Sequence, residues 1–196
     1  MTGGFGLDES PLPTPPGGWH IGVNVPWSVA WTGEQEFDLA ISAHFPGLVD
    51  LTQRQRPGTG TPRFKALHVT RHRYAMAELA CHVCGRPTSR GDRYLFPVQS
   101  GAMVTMPDES TRYAANVPPV HRACAVKAAA QCPHLRAHQA APVAYPAEPS
   151  RLMPRTDVVE GMESVARLFP RHLPLVFTCY RLFGPKFSHA VGRMRA

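Results

Sequence analysis

Apolar residues alternate with small or polar ones from Trp19 to Trp31: Ile21, Val23 and Val25 lie two apart, and Val29 and Trp31 continue after Pro26. A period of two puts successive side chains on opposite faces, so this segment predicts strands. A turn at Thr32-Gly33 leads into the run Phe37 to Ile41, which predicts a hairpin. Gln53 to Pro62 (QRQRPGTGTP) is a loop by composition, and Phe64 to Ala80 is a second ordered run. Tyr94, Phe96 and Val98 alternate again as a strand would, and the alanine-rich stretch Ala125 to Cys132 has strong helix propensity. Near the end, Val158, Val159, Met162, Val165, Ala166 and Phe169 fall near helical spacing, with Asp157 in the first turn and Pro170 as a stop. These residues predict a helix from Thr156 to Phe169. No internal repeat is visible.

The 196 residues, 43% of them hydrophobic, can bury a core. Proline (21) and glycine (16) together make up nearly a fifth of the chain, which predicts many loops and few long elements. The expected class is therefore α+β, a small, irregular, loop-rich domain. The expected division is a flexible tail over 1–18, an α+β domain over 19–137, a Pro/Ala-rich linker over 138–155 and a C-terminal helical segment over 156–196. Met1 to Gly18 has no Lys or Arg and no apolar run, so it does not read as a secretory signal. The most apolar stretch, Leu173 to Phe183, is broken by Pro174 and Arg181 and is too short to span a bilayer. The expected setting is the cytoplasm, without membrane contact. Five cysteines, an odd number, then argue for thiols that are reduced or metal-bound rather than for a disulfide framework.

Two cysteine/histidine pairs carry the strongest chemical signal. Cys81-His-Val-Cys84 is followed at once by Gly85, which can take the left-handed conformation that a zinc knuckle requires. His121-Arg-Ala-Cys124 follows Pro118-Pro119 and opens the alanine-rich helix; ligands three apart at a helix start share a face and can meet one ion. Residues 85–120 separate the pairs. A knuckle, a hairpin and a helix whose first turn supplies the second pair are the layout of a treble-clef zinc finger. Cys81, Cys84, His121 and Cys124 are thus the expected ligands of a structural Zn2+, since four Cys/His donors close the coordination shell. A thioredoxin-like pair is disfavoured because Gly85 and Pro87 break any helix after Cys84. Cys132 lies eight residues beyond Cys124, about 12 Å along a continuing helix, and is expected to pack beneath the finger; His134 could replace a ligand only if that helix were short. Cys179 is read as a core residue. A nuclease on the same finger would need a separate His/Asn/Asp group, and although Asn116 and His121 are close in sequence, no H-x-x-x-N-x-x-H pattern exists.

Charge is unevenly spread within a formal net of +7. Residues 1–50 hold Asp8, Glu9, Glu34, Glu36, Asp38 and Asp50 and no Lys or Arg. From Leu51 to Tyr74 the pattern inverts, with Arg54, Arg56, Arg63, Lys65, Arg71 and Arg73, no acid, and His68 and His72 among them. One reading is a surface for nucleic-acid phosphates, with Phe64 and Tyr74 as stacking residues. The plainer reading, which a basic stretch alone favours, is a solvated segment that meets the protein's own acidic first third.

Four motifs occur together in this order: Val25-Pro-Trp-Ser-Val-Ala-Trp31, Cys81-x-x-Cys84-Gly85, Pro118-Pro-x-His121-Arg-x-Cys124 and Cys132-Pro-His-Leu135. In this the chain resembles a group of uncharacterised proteins of actinobacteria and their phages over about residues 19–137. It departs from that pattern in the long basic insertion between Phe37 and Cys81, and nothing after residue 138 matches. The resemblance implies the zinc site and an intracellular setting but no reaction. The expected function is a non-enzymatic, zinc-stabilised binding protein whose partner is DNA or RNA, or else another protein. The alternative is a metal-dependent nuclease or other hydrolase on the same finger.

Overall fold

The computed structural model describes residues 18–97, 101–157 and 175–195. The expected tail, apart from Gly18, and positions 158–169 of the expected C-terminal helix lie outside these residues. Strands β1 (Val29–Trp31), β2 (Phe37–Ile41), β3 (Val49–Gln53) and β4 (Pro62–Leu67) precede helix α1 (Val69–Glu78). Strands β5 (Tyr94–Leu95), β6 (Gly101–Thr105) and β7 (Thr111–Ala115) lead to helices α2 (Arg122–Gln131) and α3 (Pro133–Ala137). Strands β8 (Val143–Ala144), β9 (Arg151–Asp157) and β10 (Leu175–Leu182) then precede helix α4 (Pro185–Arg195). The chain is mixed α+β, and no helix among the described residues is long and apolar enough to cross a membrane.

Strand β10, LVFTCYRL, organises the largest sheet. Its β-branched and aromatic content suits a strand with neighbours on both edges. Along one edge it runs parallel to β3 at Leu175 and Val176, then antiparallel to β7 at Arg181 and Leu182. Along the other edge it pairs antiparallel with β9 throughout. β2 extends the sheet beyond β3, and β6 beyond β7. Cys179 is fully buried against Phe45, Met76 and Val176, as expected of a core residue. Helix α1 is tied to β10 by guanidinium groups: Arg73 donates to the carbonyls of Leu51 (2.8 Å) and Val176 (3.0 Å), and Arg181 donates to those of Met76 and Ala77 near the end of α1 (both 2.9 Å).

Three expectations change. The alternating residues Ile21, Val23 and Val25 do not form a strand, because the N–H groups of Val23, Asn24 and Val25 all turn back to the His20 carbonyl. No hairpin joins Trp31 to Phe37, since β1 pairs with β4 and β2 with β3. The third concerns the end of the chain. Residues 138–155, expected as a linker, contain β8 and most of β9, and the start of the expected helix, Thr156 and Asp157, completes β9. This segment has apolar groups to bury, Tyr145 against Phe183 (5.1 Å between rings) and Leu152 beside Cys179, so it joins the body of the sheet. Pro154 is tolerated because β9 pairs on one side only.

The intervening turn instead sends Glu34 inward. Its carboxylate takes both terminal nitrogens of Arg71 (2.6 and 2.8 Å) and the backbone N–H groups of Trp31 (2.9 Å) and Arg56 (2.8 Å). Gln53 adds to the knot, donating to the Glu34 carbonyl and accepting from Val69 N–H. Burial alone would raise the pKa of Glu34; the hydrogen bond and charge of Arg71 outweigh it and hold the carboxyl below its ordinary value. His68 and His72 are buried alongside. His68 Nδ1 accepts from Arg71 N–H at the start of α1, and its Nε2 faces the Arg54 carbonyl, the pattern of a neutral ring. Burial, aided by the charge of Arg71, lowers His68 to about 4, and burial lowers His72 to about 4.

These shifts share one sign. The unfolded chain protonates its histidines from pH 6.5 downward while the folded chain does not, so stability drops as pH falls toward about 4; the depressed carboxyl of Glu34 acts the same way below its ordinary range. His72 alone contributes roughly 2 to 3 kcal/mol of this loss between pH 7 and 4.5. Urea unfolding at the two pH values should show His72→Gln losing less stability than wild type by about that amount. Equal losses would contradict the neutral, buried His72.

Candidate metal centre

The chain segment after α1 is shaped by hydrogen bonds that the cysteines themselves make. Cys81 N–H donates to the Arg86 carbonyl and Gly85 N–H to the Cys81 carbonyl (both 2.8 Å), and Ala80 bridges Pro87. The result is a tight knuckle with Gly85 at φ +76°. Glycine adopts this conformation without the Cβ clash other residues meet. The second pair arrives on α2. Tyr94 and Val120 exchange both backbone hydrogen bonds, which seats Val120 and hence His121 beside the knuckle. His121 is the residue before the first turn of α2, and Cys124 lies within that turn. Asp92 accepts from Arg122 N–H (2.7 Å), satisfying a donor at the helix start with a carboxylate, which the helix dipole favours.

Cys81, Cys84, His121 and Cys124 therefore converge, with one potential ligand atom from each and all four atoms within 4.8 Å of one another. This is the set expected from sequence. Cys81 is buried and the other three are half-buried. His121 Nε2 lies 3.1 Å from the Pro87 carbonyl, so this nitrogen carries the proton and donates it. That leaves Nδ1, 3.4 Å from Cys84 Sγ, as the free donor atom facing the thiols. Burial raises the Cys81 thiol, against the opposing pull of the backbone N–H groups of Cys84, His121 and Val83. Burial and the neighbouring Cys81 and Cys84 push Cys124 up to about 12. Cys81 and Cys124 therefore resist ionisation, and a divalent cation among the sulfurs reverses that preference.

A small core supports the group: Cys81, Val83, Phe96, Val120 and Ala125 are buried together, with Tyr94, Ala128 and Leu135 packed against them. Cys132, expected in this core, sits half-buried at the junction of α2 and α3 and is not among the packed residues. Helix α2 ends there, and Leu135 of α3 packs against the cluster. Cys132 and His134 are outside the ligand group.

The basic segment is dispersed by the fold. Arg71 and Arg73 are buried, facing Glu34 and Asp50, and cannot reach a phosphate, which corrects the expectation for both. Arg54 and Arg56 pair with Glu36 at 2.9 and 3.0 Å. Four of the six cations thus meet the acidic first third, while Arg63 and Lys65 stand exposed on β4, on either side of exposed Phe64. Tyr74 packs edge-on against Trp27.

Sequence reasoning missed what lies against the knuckle. Trp27 N–H donates to Val83 O (2.8 Å), and a Cβ at Gly85 would fall 2.7 Å from the Trp27 ring. The signal was present in Trp27 and in the glycine after Cys84, but nothing along the chain relates two positions 58 residues apart. Gly85→Ala should therefore combine left-handed strain with a displaced Trp27 and cost about 2 to 4 kcal/mol. Gly91→Ala, with open space around its Cβ, is the control. Chemical denaturation should separate the two variants, and equal stabilities would contradict the contact.

Comparison with family models, curated proteins and solved structures finds no match to this chain.

Proposed function

We propose that Cys81, Cys84, His121 and Cys124 hold a structural zinc ion in a treble-clef-like finger, and that the protein is a non-enzymatic, zinc-stabilised binding protein. The observation that carries this reading is the convergence of the four donor atoms within 4.8 Å, two from a knuckle and two from the start of α2. Three sulfurs and one imidazole suit zinc, and four protein donors leave no position for a reactive water. This favours a structural role over the alternative of a nuclease or other hydrolase. His72 does not offer a separate catalytic group, since its ring is buried on the Asn116 carbonyl (2.8 Å).

Nucleic acid is the partner we favour, on a smaller surface than the whole basic segment. Arg63 and Lys65 are exposed on β4 and, two residues apart on a strand, lie on one face of it, while Phe64 between them lies on the other face, 53% exposed with its ring edge-on to Trp19. Two exposed cations on one strand face offer contacts for the phosphates of a strand.

Purified protein should carry about one zinc per chain. Cys84→Ser should lose the metal and unfold the region from 81 to 132, whereas Cys132→Ala should keep it; metal analysis and thermal melting read both. Zinc-free protein of unchanged stability would overturn the metal reading. For the partner, Arg63→Gln with Lys65→Gln should flatten the slope of log affinity against log salt by roughly 1.4 to 1.8. Neutralising Arg54 and Arg56 should leave that slope unchanged. Anisotropy titrations of labelled DNA and RNA decide this, and wild type that binds neither at low salt would remove the nucleic-acid reading.

A further inference from the structure

A cavity of about 500 Å³ lies between α1 and the β2–β3 pair, away from the cysteine cluster. That volume suits a small organic ligand. Trp27 and Tyr74 form an aromatic wall, Ala40 of β2 lies at the exposed side, and Asp50, Arg71 and Arg73 line the interior. Three of these six are charged residues at least 95% buried, a costly arrangement for a surface hollow with no role.

Among the side chains lining the interior, one buried acceptor, Asp50 Oδ1, and two buried donors, Arg71 Nε and Arg73 Nε, have no hydrogen-bond partner. The terminal nitrogens of Arg71 are committed to Glu34 and the Val29 carbonyl. Those of Arg73 are committed to backbone carbonyls. Asp50 differs. Its Oδ1 lies 3.3 Å from Arg73 Nε, yet that oxygen has no hydrogen-bond partner, and no described residue donates to the carboxylate. A carboxylate offers two oxygens that together can take two parallel N–H groups. The buried charges Glu34, Asp50, Arg71 and Arg73 cancel, so the interior attracts no anion through net charge.

The geometry points to a binding site for a flat heteroaromatic base with adjacent N–H donors, a guanine-type nucleobase, its donors on Asp50 and its ring in the corner where Trp27 and Tyr74 meet edge-on. A carboxylate that reads paired N–H groups and an aromatic wall that takes a flat ring are both needed for such a ligand, and the cavity supplies both. The base reaches it either as a free nucleoside or as an unpaired base of a strand. The site depends on neither the zinc reading nor the β4 surface. The knuckle still bears on it mechanically, because Trp27 rests on Gly85.

Calorimetric titration of the full chain with guanosine, inosine and a short single-stranded guanosine-containing oligonucleotide tests the assignment. Wild type should bind guanosine saturably, and inosine, which lacks the amino group, more weakly. Asp50→Asn should weaken guanosine binding roughly ten- to a hundredfold, the scale of a charged hydrogen bond. Because that change also leaves Arg73 without its carboxylate, Ala40→Trp serves as a second variant: it fills the cavity from the exposed strand β2 and should abolish binding with an unchanged melting temperature. Guanosine binding blocked by Ala40→Trp establishes the free nucleoside as a ligand. Binding of the oligonucleotide alone, blocked by Ala40→Trp and retained when Arg63 and Lys65 are neutralised, establishes a strand-borne base. Absence of saturable binding to either probe, binding that Ala40→Trp leaves intact, or equal affinity for guanosine and inosine would overturn the proposal.

Discussion

The carboxylate of Glu34 and the guanidinium of Arg71 meet with almost no exposure to water, and much of the first half of the protein is arranged around that contact. Glu34 reaches back to Trp31 at the end of β1 and across to Arg56 in the following loop, while Arg71 reaches Val29. One ion pair thus joins β1, the loop before β4 and helix α1. A buried pair is weak evidence for net stability, because two charges lose their hydration when it forms. Its effect is on specificity. A different packing of these elements would leave one charge buried alone, at a cost of about 3 to 5 kcal/mol.

Helix α1 transmits that constraint. Arg71 faces Glu34, whereas Arg73, two residues on, faces Asp50 and the carbonyls of β3 and β10. The helix is held between two sets of polar contacts rather than by a continuous apolar stripe. The same arrangement leaves room between α1 and the β2–β3 pair, where Asp50, Arg71 and Arg73 line the cavity.

The cysteine cluster is built differently, from local geometry with little help from long-range charge. Gly85 closes the knuckle, Tyr94 and Val120 align the two halves, and Asp92 satisfies the start of α2. Trp27 then joins this unit to the rest of the protein, lying on Gly85 on one side and beside Arg71 and Tyr74 on the other. The knuckle and the cavity therefore share a wall.

The sequence by itself determined the cysteine cluster, because the spacings within Cys81–Cys84 and His121–Cys124 dictate local turns that bring each pair to a point. It also determined the loop over residues 54–61, strand β2, helix α2 and the burial of Cys179, all of which follow from composition or short-range period. Tertiary structure alone decided the partner of each strand, the inclusion of β9 in the main sheet and the fate of the basic segment. Those outcomes depend on pairs such as Glu34 with Arg71 and Arg73 with Asp50, where a charge is exposed or buried according to what the fold places opposite it. Six cations in one run look alike along the chain. Folding removes two of them from water, pairs two with Glu36 and leaves Arg63 and Lys65 exposed, because desolvation is acceptable only where a fixed carboxylate or carbonyl waits.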